Sequence, residues 1–79
     1  MNSDEKTLRR DRAAKIFGTV LGPDWRGKVA RALEIDPSMV RRYFTPPKGR
    51  TDAPPVAVLA CAEFLQATPR SSWPDRWKD

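Results

Sequence analysis

Residues 26–44, RGKVARALEIDPSMVRRYF, carry apolar and small side chains where two short helices joined by a tight turn require them. Val29, Ala30 and Leu33 fall on the buried stripe of a first helix, Ile35 plugs the turn, and Val40 and Tyr43 form the inward face of a second helix. Ala30 stands where the two helices cross most closely, a position that needs a small side chain. Asp36 followed by Pro37 is a strong helix start: the carboxylate can accept from free backbone N–H groups, and proline fits the first helical position. The turn is therefore expected at residues 34–36.

This stretch resembles the helix-turn-helix of the lambda repressor and Cro class, small regulators of phages, prophages and mobile elements. The likeness covers about a quarter of the chain by motif. It departs at Glu34, where that class usually has glycine. A left-handed backbone there costs a non-glycine residue of order 1 kcal/mol, so the sequence predicts a turn that is distorted or differently built. A short basic chain with VRRY followed by a proline-rich loop and a last apolar helix is also similar to the anti-CRISPR-associated regulators. The resemblance implies a bacterial or phage protein whose second helix enters the major groove of double-stranded DNA.

With Val40 inward, Ser38, Arg42 and Thr45 lie nearly opposite, and Met39 and Arg41 on the flanks. Arginine can donate two parallel hydrogen bonds to guanine O6 and N7, so Arg41 and Arg42 are the candidates for base reading. Ser38 suits a phosphate or a base edge, and Met39 either touches a thymine methyl or fills a gap at the domain edge. The first helix of the pair is expected across the phosphate backbone, with Arg26 and Lys28 near its start and Gly27 leaving room for close approach. Thr45, and Lys48 and Arg50 in the following loop, complete the expected phosphate contacts. Trp25 is expected in the core, and Tyr43 points inward with its hydroxyl at the rim. Each of these cations would equally serve to solvate a helix face.

Upstream, a helix is expected over about 4–21, capped by Ser3, with Ala13, Ile16, Phe17 and Val20 on its buried stripe and Leu8 extending it. Gly22 and Pro23 break the chain. Downstream, residues 45–55, TPPKGRTDAPP, read as a loop. A last helix is then expected from about Asp52 to Ala67 or Thr68, with Pro54 and Pro55 in its first turn. Residues 56–65 leave it almost no polar face. In so small a chain one side can cover the paired helices, and the other needs a second copy or the tail. The tail carries Trp73 and Trp77, four apart, which dock on the domain or on a partner subunit. The candidate dimer surface is thus Val58, Leu59, Phe64, Leu65, Trp73 and Trp77.

Seventy-nine residues allow one domain. The expected architecture is all-α, a four- to five-helix bundle containing the helix-turn-helix, with residues 53–79 contributing to dimerisation. The net charge of +5 is graded along the chain: the excess is +2 over 1–22, +2 over 23–45, +1 over 46–55 and 0 over 56–79. A basic first two-thirds suits a polyanion, and a neutral last third suits protein contact. One cysteine and no histidine exclude a disulfide framework, histidine acid–base chemistry and an ordinary zinc site. The polar N-terminus shows no signal peptide, and no apolar run approaches the ~20 residues of a membrane span, so a cytoplasmic protein is expected.

The function expected is a sequence-specific, dimeric transcriptional regulator, a repressor of its own promoter that binds an inverted repeat without cofactor. The alternatives are a protein-interaction module and an antitoxin-type or RNA-binding partner built on the same helices. Scattered carboxylates and lysines, with no paired arrangement, argue against an enzyme, and no small-molecule substrate is expected.

Overall fold

The computed structural model describes residues 2–45 and 53–78. Among the described residues four α-helices, α1 (Asn2–Leu21), α2 (Trp25–Leu33), α3 (Pro37–Phe44) and α4 (Val56–Ala67), precede two short 3₁₀ turns at Arg70–Ser72 and Asp75–Trp77. The described residues contain no strand. None of their helices is long and apolar enough to cross a membrane.

Helix α1 starts at Asn2, so Ser3 lies within its first turn rather than capping it. Ala13, Ile16 and Phe17 are buried and Val20 packs against them, as the helical period requires. Leu8 does not extend that stripe: it is 69% exposed, because the core ends one turn further along. Gly22 ends the helix at φ 90°, a left-handed conformation that glycine adopts without strain. Lys28 then reaches back from α2 and donates from Nζ to the Leu21 carbonyl at 3.0 Å.

The core is organised around Phe17, which is fully buried. Its ring stacks with Trp25 (centroids 5.9 Å apart) and with Trp77 (5.8 Å), and meets Phe44 edge-on at 6.3 Å. Trp25 and Phe44 make their own edge-on contact at 4.8 Å. Offset and edge-to-face pairs of this kind add about 0.5–1.5 kcal/mol each beyond their buried area. The cluster ties the first residue of α2 and the last of α3 to the C-terminal part of α1, and the C-terminal turn closes over it.

Three sequence expectations are corrected downstream. Pro54 and Pro55 precede α4 instead of forming its first turn, and Pro54 is buried with its carbonyl accepting from Arg9 Nε at 2.8 Å. Helix α4 packs on α1 rather than on α2 and α3. Finally, Val58, Leu65, Trp73 and Trp77 are buried inside the protomer, at 1–7% exposure, and offer nothing to a partner. Trp73 donates from Nε1 to the carbonyls of Leu65 (3.2 Å) and Thr68 (3.0 Å), satisfying the open end of α4. Pro69 and Pro74 set the two 3₁₀ turns that bring both indoles inward. Of the residues expected at a dimer surface, Leu59 is half-buried and Phe64 is exposed.

Candidate nucleic-acid interface

Helices α2 and α3 are joined by residues 34–36, and the turn is closed by backbone hydrogen bonds. Glu34 takes the left-handed conformation (φ 56°, ψ 44°) and is the one non-glycine residue with positive φ among those described. Its N–H donates to the Arg31 carbonyl at 3.3 Å, and the N–H of Ile35 donates to the Ala30 carbonyl at 3.0 Å. This is a Schellman ending, in which the last carbonyls of α2 find partners and the next apolar residue folds back against the helix. The expectation of a differently built turn is therefore corrected: Glu34 adopts the glycine conformation and bears its strain.

Asp36 opens α3. Its carboxylate accepts from the Ser38 N–H at 2.8 Å, with Pro37 in the first turn. That backbone hydrogen bond, helped by the Ser38 side chain, holds the Asp36 carboxyl below its ordinary value of 3.8. Beyond this cap, Val40 and Phe44 face inward and Tyr43 is half-buried. Phe44 was not expected there. Its burial turns the inward face toward the 40 and 44 positions and leaves Ser38, Met39, Arg41, Arg42 and Thr45 exposed together.

Two adjoining clefts lie beside that face. One, of about 330 Å³, is lined by Arg26, Gly27, Pro37, Val40, Arg41 and Thr45. The other, of about 420 Å³, is lined by Pro23, Asp24, Arg26, Gly27, Lys28 and Arg31. They adjoin at Arg26 and Gly27, and together form a trough at the start of α2, one part beside α3 and the other beside the α1–α2 connection. Its floor is open at Gly27, where a Cβ would meet no heavy atom nearer than Arg31 Nη1 at 4.0 Å. The guanidinium of Arg26 lies 4.4 Å from the centroid of the Trp25 ring, which holds the cation at the lip of the trough.

Electrostatics follow from what pairs with what. Among the described residues the side-chain ion pairs are Arg10–Asp11 and Arg12–Glu63, both on or beside α1. Arg26, Arg31, Arg41 and Arg42 thus keep their charge toward solvent. Arg31 was missed by the sequence reading, although its place one turn after Gly27 and Lys28 on the outer side of α2 is legible from the helical period. Lys28 lines the trough while its ammonium binds the Leu21 carbonyl. Lys48 and Arg50 fall outside the described residues. The described residues hold no group of three or more His, Cys, Asp or Glu side chains suited to a metal ion.

The site can therefore bind an extended anion along the trough and present two arginines, a serine and a threonine to whatever lies against α3. Comparison with protein-family models, with curated proteins and with solved structures finds no match.

Proposed function

We propose that α2, the turn and α3 form a helix-turn-helix, and that the protein is a sequence-specific DNA-binding regulator of transcription. The observation that carries this reading is the pair of adjoining clefts at Arg26 and Gly27, with Lys28, Arg31 and Arg41 also on their walls, set beside the exposed row of α3. A DNA strand in the trough meets Arg26, Arg31 and Arg41 as phosphate contacts, with Gly27 admitting the backbone closely. Helix α3 then lies in the major groove, where Arg42 reads guanine and Ser38 and Met39 contact neighbouring edges. Thr45 sits at the groove wall. No step requires a cofactor.

The aromatic cluster supports the reading mechanically. Trp25 precedes Arg26 and Phe44 precedes Thr45, so the rings that fix the core also hold the backbone that carries Arg26 and Thr45 beside the trough. A site on rigid elements loses little ordering entropy on binding. Repression of a promoter, in a bacterial cell, follows if the DNA bound overlaps the polymerase site.

Selection of bound sequences from random DNA, followed by a footprint on the DNA upstream of the gene, tests the proposal. A recovered consensus protected by the native protein, and lost when Arg41 and Arg42 are both replaced by alanine, is expected. Failure to enrich any sequence overturns it.

A further inference from the structure

Helix α4 buries one side and leaves the other apolar. Val58, Ala62 and Leu65 face the core, while Val56, Ala57, Ala60, Phe64 and Ala67 are exposed. At 100° per residue those five fall within an arc of about 100° that contains no polar side chain. Val56 is 65% and Phe64 48% exposed, and Leu8 of α1, 69% exposed, lines a groove with Val56 and Leu59 beside them. The tail does not cover this face, because both of its tryptophans turn inward.

Charge decides what covers it. The exposed sides of α1, α2 and α3 carry Lys6, Arg12, Lys15, Arg26, Arg31, Arg41 and Arg42, whereas α4 carries no cation. A nucleic acid or an anionic membrane finds no partner for its phosphates on α4, and an acidic protein is drawn to the other helices. The exposed sides of the other helices mix these cations with Glu5, Asp11 and Glu34, whereas this face carries no charge of its own, so two copies of a chain with net charge +5 meet least repulsion across it. The charges at its border, Arg12 and Glu63, are 3.1 Å apart and opposite in sign. Under a two-fold axis such a pair is self-complementary: Arg12 of one protomer can answer Glu63 of the other. Ala57, Ala60 and Ala67 let two helix axes approach to the short end of the usual 8–10 Å.

We infer that the outer face of α4 is the surface on which a second copy of this chain docks, α4 against α4 across a two-fold axis. The pairing stands independently of the DNA reading. Because α4 packs on α1 while the trough belongs to α2 and α3, it leaves one trough open on each protomer.

Sedimentation of the full chain from about 1 µM to several hundred µM, the range where modest interfaces dissociate, is the test. Ala60→Glu, at an exposed position, places two like charges at the axis, and is expected to weaken the dimer by on the order of 100-fold. Its helicity and unfolding midpoint in dilute solution should match the native chain. Ala60→Cys in a Cys61→Ala background provides a second readout: mild oxidation should join two chains far faster than Thr19→Cys on the exposed side of α1 in the same background. A native chain that stays monomeric throughout, an Ala60→Glu chain that pairs as tightly as the native one, or equal cross-linking at 60 and 19 would overturn the inference. DNA binding by a monomer would leave the proposed function standing.

Discussion

Replacing Glu34 by glycine should make the protein more stable, even though it deletes a side chain. Glu34 holds φ 56° and ψ 44°, which costs a residue with a Cβ about 1–2 kcal/mol. Glycine removes that cost but has more freedom to lose on folding, about 0.5–1 kcal/mol. The side chain is exposed, so no packing is lost with it. The difference is a gain of roughly 0.5–1 kcal/mol, or a rise in melting temperature of about 2–8 °C for a domain of this size. Glu34→Gln separates the charge from the backbone, since removing a carboxylate near a helix C-terminus is itself mildly favourable. The gain of Glu34→Gly over Glu34→Gln, read from urea unfolding with unchanged slope, is the strain. Gly22→Ala is the mirror experiment: at φ 90°, with no heavy atom within 4 Å of the new Cβ, it should cost about 1 kcal/mol through the backbone alone. A Glu34→Gly chain no more stable than Glu34→Gln would refute the Schellman turn between α2 and α3.

Phe17→Ala should destabilise by about 3–5 kcal/mol, a large part of the roughly 4–12 kcal/mol expected for a chain this long, because three rings lose their common partner; a loss below about 1.5 kcal/mol in urea unfolding would contradict the aromatic core. Gly27→Ala should move two quantities in opposite directions. Stability rises by up to about 1 kcal/mol, since alanine is the better helix former and meets no clash, while affinity for DNA falls as the new methyl group enters the floor of the trough; a parallel rise in both would remove Gly27 from the interface. Asp36, whose carboxyl is held below 3.8 in the folded chain, contributes stability above its unfolded value that is lost as pH falls through the folded one. Melting temperatures followed from neutral pH to about pH 2 should therefore drop further for the native chain than for Asp36→Asn, which caps without titrating; identical profiles would mean that the cap bond does not form.

The paired helices were legible because their signals are local. Asp36 and Pro37 announce a helix start wherever they occur, and the spacing of Val29, Ala30 and Val40 identifies the inner faces without knowledge of what they meet. Trp25 and the tail tryptophans were legible as buried by size. Their destination was not: whether Trp73 and Trp77 turn into their own protomer depends on two proline-set turns and on the open carbonyls at the end of α4. Helix α4 itself has apolar residues all round, so its sequence could not say which side meets the core, nor that α1 is its neighbour. Phe44 was overlooked because the proline-rich loop begins just after it, which made the end of the helix look like its edge. The Lys28 bond to the Leu21 carbonyl depends on the angle between α1 and α2, which no local pattern encodes.

The salt dependence of DNA affinity tests the central proposal most directly. For a consensus site, log K should fall linearly with log salt, with a slope of about −0.9 for each phosphate neutralised. Arg41→Ala and Arg26→Ala should each weaken all sequences alike and reduce the slope by about one, whereas Arg42→Ala should cost about 1–3 kcal/mol on the consensus and relax the choice of base at one position. Binding that ignores salt, or that survives the combined replacement of Arg26, Arg41 and Arg42 unchanged, would contradict a nucleic-acid interface on α2 and α3.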